Sequence, residues 1–238
     1  DLLCEMLDAR LLSVESVLAS RVHDDLSSAE SLSAIKDLDP LIADVVVVDP
    51  KTTLVVMASD PALIGLDTSA FSGFKEFFWK MSSAAIDSRV IELSPGRGLG
   101  IPVGRLIKDG PDRGKALFAM VGSNGLNELY FSRLKVMRQG YPFIIDKNGK
   151  VAAHPDPKMT GLDLSAEDFV QQMLNSAEDS GFIEYLWSKA GDTRRIYPKY
   201  ISYKKMTSVE WVVGVSAYRE DLLLVTEKTS RLSFALGL

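Results

Sequence analysis

Residues 60–71 read DPALIGLDTSAF, and residues 156–169 read DPKMTGLDLSAEDF. The two phrases align without gaps at an offset of 96 residues, the distance from Asp60 to Asp156. The aligned pairs share Asp, Pro, Gly, Leu, Asp, Ser and Ala in the same order. The offset also relates two longer segments, KALFAMVGSNGL ending at Leu126 and EWVVGVSAYREDL ending at Leu222. A chance match would not extend in this way, so the repeat indicates a structural unit that occurs twice.

Each phrase follows a predicted β-hairpin. VVVVDPKTTLVVMA, from residue 45, lies over PFIIDKNGKVAAH, from residue 142, with a slip of one residue. Both are apolar strands interrupted by a polar turn, and Asn148-Gly149 is the strongest short signal for a hairpin because both residues tolerate positive φ. Two copies of this length favour two small modules over a solenoid, which needs three or more shorter repeats.

Composition sets the broad class. The 238 residues are 46% hydrophobic and 25% charged, which is ordinary for a folded globular chain. A net charge of -5 gives no basic surface for nucleic acid, and the single cysteine, Cys4, excludes an internal disulfide. No stretch approaches the roughly 18 apolar residues that span a bilayer. The chain does not begin with Met and shows no signal peptide, so we expect part of a longer protein. Its uncharged end, residues 232–238, is either the start of a membrane span or the end of an apolar helix.

Hydrophobic periodicity predicts an α+β fold. Apolar residues at steps of three and four predict a long amphipathic helix from Leu2 to Leu26, continuing to Leu38 and stopped by Pro40. After the first hairpin we expect a helix over 71–85, strands over 89–93, 101–108 and 115–122, and a linking helix over 126–137. After the second hairpin we expect a helix over 166–176, strands over 181–189, 194–204 and 211–217, and a last helix over 219–234.

The second copy carries a family resemblance. GYPFIIDKNGKVAAHPDPKMTGLDL, GFIEYLW and EWVVGVSAYREDLL resemble the double Cache domains, which are extracytoplasmic sensor regions of bacterial chemoreceptors and sensor kinases. The resemblance implies a long N-terminal helix over 1–40, a membrane-distal PAS-like module over 41–137, a membrane-proximal one over 138–218 and an exit helix over 219–238. It also implies a periplasmic or extracellular location, a membrane-anchored parent protein, a small-molecule ligand and a homodimer formed through the long helix.

In such proteins the ligand usually lies in the distal module, against the helix that follows the first hairpin. Here that helix contains FSGFKEFFWKM. Phe77, Phe78 and Trp79 would line the pocket wall, with Lys75 or Lys80 offering a cation to an anionic ligand, or else the aromatic side chains close a small core.

Two strands add polar candidates. Side chains alternate along a strand, so Glu92 and Ser94 share the mixed face of VIELS that we expect to face the pocket. Arg105 lies in the apolar strand IPVGRLI and requires a partner, which is either an anionic ligand or Glu92.

The chain departs from the family at the residues that bind an amino acid. Many amino-acid-binding members have Arg-x-Trp-Tyr on the distal helix, where this chain has Lys75-Glu76-Phe77-Phe78-Trp79. They also have an Asp on the last distal strand, where ALFAMVGS places Met120, followed by Gly122. A thioether cannot pair with an ammonium, so the departures favour a carboxylate or another less cationic molecule.

The proximal module offers His154, Tyr185, Trp187, Tyr203 and Trp211, but a proximal ligand is the minority arrangement in the family. His154 is then structural. We expect no catalysis, metal or cofactor: the chain has two histidines, no Gly-x-Ser-x-Gly motif and no cluster with metal-ligand spacing. The alternative function is a ligand-free dimerisation or partner-docking module of a membrane receptor.

Overall fold

The chain forms two compact units. The first comprises Asp1–Glu128 and Met206–Glu210, and the second comprises Leu129–Lys205 and Trp211–Leu238. The computed structural model describes residues 2–21, 26, 28–70, 84–86, 91–92, 98–189 and 192–224.

Two helices open the first unit. α1 (Leu2–Arg21) buries Cys4, Leu7, Leu11, Val14 and Leu18, whose spacing of three and four residues puts them on one face. α2 (Ala29–Lys36) is a separate helix. The predicted continuation of one helix to Leu38 is therefore wrong. Ser28 has extended backbone angles, and its hydroxyl accepts a bond of 3.1 Å from the N–H of Ser31, so it caps the start of a new helix.

The first unit contains a six-stranded antiparallel sheet with strands β1 (Ile42–Val48), β2 (Val55–Ala58), β3 (Ala84–Ile86), β4 (Ile91–Glu92), β5 (Leu99–Leu106) and β6 (Ala116–Gly122). Their order is β2-β1-β6-β5-β3, and β4 also pairs with β5. α1 packs against β5 and β6. The predicted helix over 71–85 ends differently, because Ala84 and Ala85 pair with Arg105 and Gly104 in the sheet. Residues 71–83 lie outside the described residues.

The second unit contains a five-stranded sheet, and helix α4 (Asp168–Asn175) packs against it. Its strands are β7 (Tyr141–Ile145), β8 (Val151–Ala153), β9 (Ser180–Lys189), β10 (Asp192–Lys205) and β11 (Val212–Tyr218). The order β8-β7-β11-β10-β9 repeats that of the first sheet, with each hairpin at one edge and the last strand in the middle. This confirms the predicted α+β fold with a long N-terminal helix and two modules.

The repeated phrase makes the same turn in both units. Gly65 and Gly161 have φ of +86° and +87°, which glycine adopts without steric cost. Each glycine donates its N–H over 2.8 Å to the second strand of the preceding hairpin. Asp67 and Asp163 each accept a bond of 2.9 Å from the backbone N–H two residues further on. The sequence is repeated because the turn geometry is repeated.

The segment joining the two sheets differs from the predicted linking helix. α3 (Ser123–Leu126) leads into a π-helical turn over Asn127–Phe131. The helix does not continue to Met137, because Val136 and Gly140 form a β-bridge and Met137 has a φ of +53°. After β11, residues 219–224 are helical, and residues 225–238 lie outside the described part of the chain. Among the described helices, none is long and apolar enough to cross a bilayer.

Candidate functional site

Most of the predicted pocket wall in the first unit lies outside the described residues. This holds for Lys75, Phe77, Phe78, Trp79 and Ser94. Of Glu92 only the backbone is described, in β4. Their role in a pocket therefore stays a prediction.

Arg105 has a carboxylate partner, but not the one expected. Its Nη1 lies 3.2 Å from Oε1 of Glu15 on α1, and the two side chains are 26% and 28% exposed. The register pairs Glu92 with Leu99, which is six residues from Arg105 along β5, or about 20 Å at roughly 3.3 Å per residue. The proposed salt bridge to Glu92 is wrong. An ion pair exposed to this extent contributes up to about 1 kcal/mol.

Met120 and Gly122 lie on β6, as predicted for the last strand of the first module. Met120 is 7% exposed and packs in a cluster with Val46 and Phe118. A Cβ on Gly122 would lie 3.2 Å from the Cβ of Ala43, so this part of the sheet is closely packed. Both positions are therefore built into the core of the first unit.

A carboxylate missed in the sequence lies beside Met120. The register of β1 and β6 pairs Met120 with Asp44, and directly paired residues point to the same side of a sheet. Asp44 is 3% exposed, and its Oδ1 is 3.7 Å from Nζ of Lys36. Asp44 could have been recognised in the sequence as a candidate, because it is the single charged residue in the strand IADVVVV. The carboxylate of Asp44 thus lies next to Met120, the position that was aligned with the aspartate of amino-acid-binding domains.

The second unit contains a small pocket that is half open to solvent and has a cavity volume of about 20 Å³. It lies over the face of the sheet that packs against α4. Its lining is mainly apolar and aromatic: Tyr141, Phe143, Val151, His154, Met159, Leu164, Phe169, Tyr185 and Trp187. The ring of Phe169 on α4 lies 4.4 Å from that of Tyr185 and 5.6 Å from that of Trp187, measured between centroids. The helix thus holds two strand aromatics in place as a wall.

Lys199 is buried under this wall. Its exposed fraction is 0%, and its Nζ has no hydrogen-bond partner among the described residues. The ammonium lies 3.5 Å from the ring centroid of Tyr141 and 4.8 Å from that of Tyr218. Burial lowers the pKa of Lys199 to about 7. Sequence reasoning missed this residue, although alternation along Tyr197, Lys199, Ile201 and Tyr203 places it on the apolar face.

His154 has a structural environment. Its Nδ1 accepts a bond of 2.9 Å from the N–H of Asp156, so the neutral ring carries its proton on Nε2. The ring is 4.6 Å from that of Tyr141, edge to face. Burial lowers the pKa of His154 to about 4, against the raising effect of the backbone carbonyl of Asp156, which lies 3.2 Å from Nδ1. The histidine is therefore neutral near pH 7 and adds no charge to the pocket.

Comparison with known proteins places this geometry in a family. Residues 124–235 match the family model of the Cache domain. An extracellular ligand binding receptor from Desulfohalobium retbaense has a TM-score of 0.69 and 14% identity over 90% of this chain, which spans 38% of that receptor. The extracellular domain of rpHK1S-Z16, a proposed histidine kinase, has a TM-score of 0.66 and 19% identity, with 92% of this chain and 88% of that chain covered. The ligand-binding domain of the Pseudomonas aeruginosa amino acid chemoreceptor PctB, in complex with L-Arg, has a TM-score of 0.59 and 16% identity, with 92% and 90% covered. Among curated proteins no match is found.

The family match identifies residues 124–235 as similar to a Cache domain, and the two units share the fold of the solved structures. The fold is shared with solved extracellular sensor domains, and the predicted resemblance to the double Cache domains of chemoreceptors and sensor kinases is confirmed.

Proposed function

We propose that this chain is the ligand-binding sensor region of a bacterial transmembrane signalling receptor and lies outside the cytoplasm. It binds a small organic molecule in the first unit, has no catalytic activity and passes the binding event to the helix that begins at residue 219. The observation that carries the proposal is the fold, which is shared over 92% of the chain with the ligand-binding domain of a chemoreceptor.

The proposed mechanism is a population shift. The ligand binds one conformation of the first module better than another, and the difference in affinity biases the position of the C-terminal helix. The modules proposed for this mechanism are residues 41–137 and 138–218, with helices over 1–40 and 219–238. Lys75, Phe77, Phe78, Trp79, Glu92, Ser94, Arg105, Met120 and Gly122 are the proposed ligand-binding residues.

A carboxylate remains the proposed ligand class for this site, on account of Lys75 and the absence of an aspartate at Met120. Asp44 favours a competing class, since a buried carboxylate paired with Met120 in the sheet could serve an ammonium group. The two classes are separable by experiment.

The test is a thermal-shift screen of the chain against carboxylic acids, amino acids, purines and amines. A ligand at a hundred times its Kd raises the free energy of unfolding by about 2.7 kcal/mol. Trp79→Ala should abolish the shift. Arg105→Ala should abolish it for an anionic ligand, whereas Glu15→Ala, which breaks the same ion pair from the other side, should not.

If Glu15→Ala and Arg105→Ala weaken the response equally, Arg105 acts through the ion pair and not through the ligand. Loss of the response in Asp44→Asn alone would indicate an ammonium ligand. No shift with any compound class would contradict the proposed function.

A second candidate function is dimerisation through α1. Leu2, Met6 and Leu12 on this helix are 72%, 46% and 48% exposed, which is high for large apolar side chains. Sedimentation over a range of concentrations tests this, and Met6→Glu should shift the chain toward monomer if α1 is the interface. An unchanged distribution would remove α1 as the interface.

A further inference from the structure

The hairpin of β9 and β10 contains a wide bulge. The register shifts between Asp192 and Ile196, where β10 advances by four residues while β9 advances by one. Three residues of β10 therefore stand outside the described ladder, and two of them are Arg194 and Arg195, which are both exposed. A bulge re-aims the side chains that it carries. The two guanidinium groups are thus presented to solvent by the backbone.

This bulge lies at the end of the sheet where the chain leaves it. β10 and β11 pair Lys199 with Tyr218, and the chain becomes helical directly after that pair. Ile196 precedes Lys199 on β10 by three residues, or about 10 Å at roughly 3.3 Å per residue. The bulge therefore lies beyond the last described pair of β11. An ion pair of Lys189 with Glu220 holds the end of β9 against the first turn of the helix.

Two more exposed arginines lie at this end of the second unit. Arg138 precedes β7, whose first residue pairs with Ser216 near the end of β11. Arg219 is the first residue after β11. Within the described part of the chain, no carboxylate forms an ion pair with these two or with Arg194 and Arg195. Four guanidinium groups are therefore available to an anionic surface.

The acidic side chains at the same end already have partners: Asp192, Glu220 and Asp221. The first accepts a bond of 2.9 Å from a tyrosine hydroxyl, and the last is buried and accepts a bond of 3.0 Å from a backbone N–H. The four arginines and Lys189 outnumber these three acids. This end of the second unit is therefore positive, although the whole chain has a net charge of -5.

Two exposed apolar side chains stand beside the arginines. Ile196 is 64% exposed and Leu186 is 56% exposed. They share one face of the sheet, because Leu186 pairs with Pro198, which is two residues from Ile196 along β10. Arginine lays its aliphatic stem on apolar surroundings and keeps its charged head in a polar layer. Apolar side chains flanked by arginines match the boundary between acyl chains and phosphate headgroups.

We propose that this end of the second unit docks on a bilayer that contains anionic phospholipid, through Arg138, Leu186, Arg194, Arg195, Ile196 and Arg219. The guanidinium groups bind headgroup phosphates, and the two apolar side chains enter the boundary below them. The inference rests on the proposed function, because a membrane-anchored receptor brings the end of the sheet from which its chain leaves close to the bilayer.

Co-sedimentation of the 238-residue chain with vesicles tests the proposal. Vesicles with roughly 30 mol% phosphatidylglycerol, an anionic lipid, are compared with pure phosphatidylcholine. We expect binding to the anionic vesicles, and we expect it to weaken with salt as the Debye length falls from about 10 Å at 0.1 M to about 3 Å at 1 M.

Paired substitutions locate the contact. Arg194→Gln with Arg195→Gln should weaken binding roughly 30-fold, because each arginine near an anionic surface contributes a factor of roughly five. The matched control, Lys51→Gln with Arg113→Gln, removes two exposed charges from the first unit and should leave binding unchanged. Ile196→Ser should weaken binding several-fold. The uncharged residues 232–238 are present in every variant, so they produce no difference between them.

Three results would overturn the proposal. The first is absence of binding to the anionic vesicles, or equal binding to both lipid compositions. The second is equal binding by the two paired variants. The third is an Ile196→Ser chain that binds vesicles normally but sediments as a smaller species without them, which marks an interface between copies instead. A chain that ignores vesicles but gives a thermal shift with a small molecule refutes the docking alone and leaves the proposed function standing.

Discussion

Replacing the buried lysine by an uncharged residue of similar shape should make the second unit more stable. Methionine has about the same length as the apolar part of Lys199 and brings no charge into the core. The pKa of Lys199 lies near 7 instead of 10.5 because burial disfavours the charged form. A difference of that size corresponds to about 5 kcal/mol against the folded state at low pH.

The tyrosine rings reduce this penalty. A desolvated ammonium gains about 2 kcal/mol from an aromatic face, and Tyr141 and Tyr218 both offer one to Lys199. We therefore expect Lys199→Met to raise the free energy of unfolding by about 3 kcal/mol at pH 6, since the methionine loses the rings but also the desolvation cost.

The advantage should depend on pH in a defined direction. Between the folded pKa of about 7 and the unfolded value of 10.5 the unfolded chain binds more protons at Lys199, so the stability of the unmodified protein rises with pH. The gain from Lys199→Met is complete below pH 7 and should shrink by about 2.7 kcal/mol between pH 6 and pH 9.

Urea denaturation followed by tryptophan fluorescence measures this effect. Trp187 and Trp211 belong to the second unit, and Trp79→Phe removes the one tryptophan of the first. The control is Lys205→Met, because Nζ of Lys205 donates to the carbonyls of Leu174 and Ser176, and this change should destabilise. A Lys199→Met protein that is less stable than the unmodified chain at pH 6, or whose advantage does not change with pH, would refute the reasoning.

Three further predictions test other parts of the structure. Asp8→Asn should lower the free energy of unfolding by about 1–3 kcal/mol, because the carboxylate accepts bonds from backbone and hydroxyl groups at 207–208. An equal loss of stability at pH 3 and pH 7 would argue against a charged acceptor. Gly149→Ala should destabilise more than Gly65→Ala: both have a φ of +86°, but a Cβ on Gly149 would approach a neighbouring backbone atom to 2.7 Å, whereas Gly65 has open space. His154 should stay neutral down to about pH 5 in an NMR titration, since burial lowers its pKa to about 4. The free energy of unfolding should fall as the pH drops from 6.5 to 4. A titration midpoint near pH 6.5 would contradict this environment.

The repeat predicted from the sequence accounts for most of the fold. Turn residues such as Asp67 and Gly65 act on the backbone within a few residues of themselves, so their role can be predicted from the local sequence. Periodicity alone was not enough to predict where the first helix ends. α1 ends at Arg21 and not near Leu38, because Ser28 adopts extended angles that periodicity does not reveal.

The contacts of the candidate site residues could be predicted from the sequence only in part. Arg105 was expected to need a carboxylate, and it has one, but only the register of β4 and the position of α1 decide between Glu92 and Glu15. Lys199 shares a face with Ile201, so alternation alone would have placed its ammonium in the core. The absence of a partner for Lys199 among the described residues depends on which side chains three other strands bring to it, and no single segment contains that information.

Residues 206–210 complete the first unit, although the chain reaches them only after β10. They carry Val209, which is 6% exposed, and the donors that satisfy the buried carboxylate of Asp8. A gene fragment ending at residue 128 would therefore encode a first unit with an exposed apolar surface and an unsatisfied buried acid. A chimaeric receptor that exchanges the first half alone must therefore also carry the matching five-residue loop, residues 206–210.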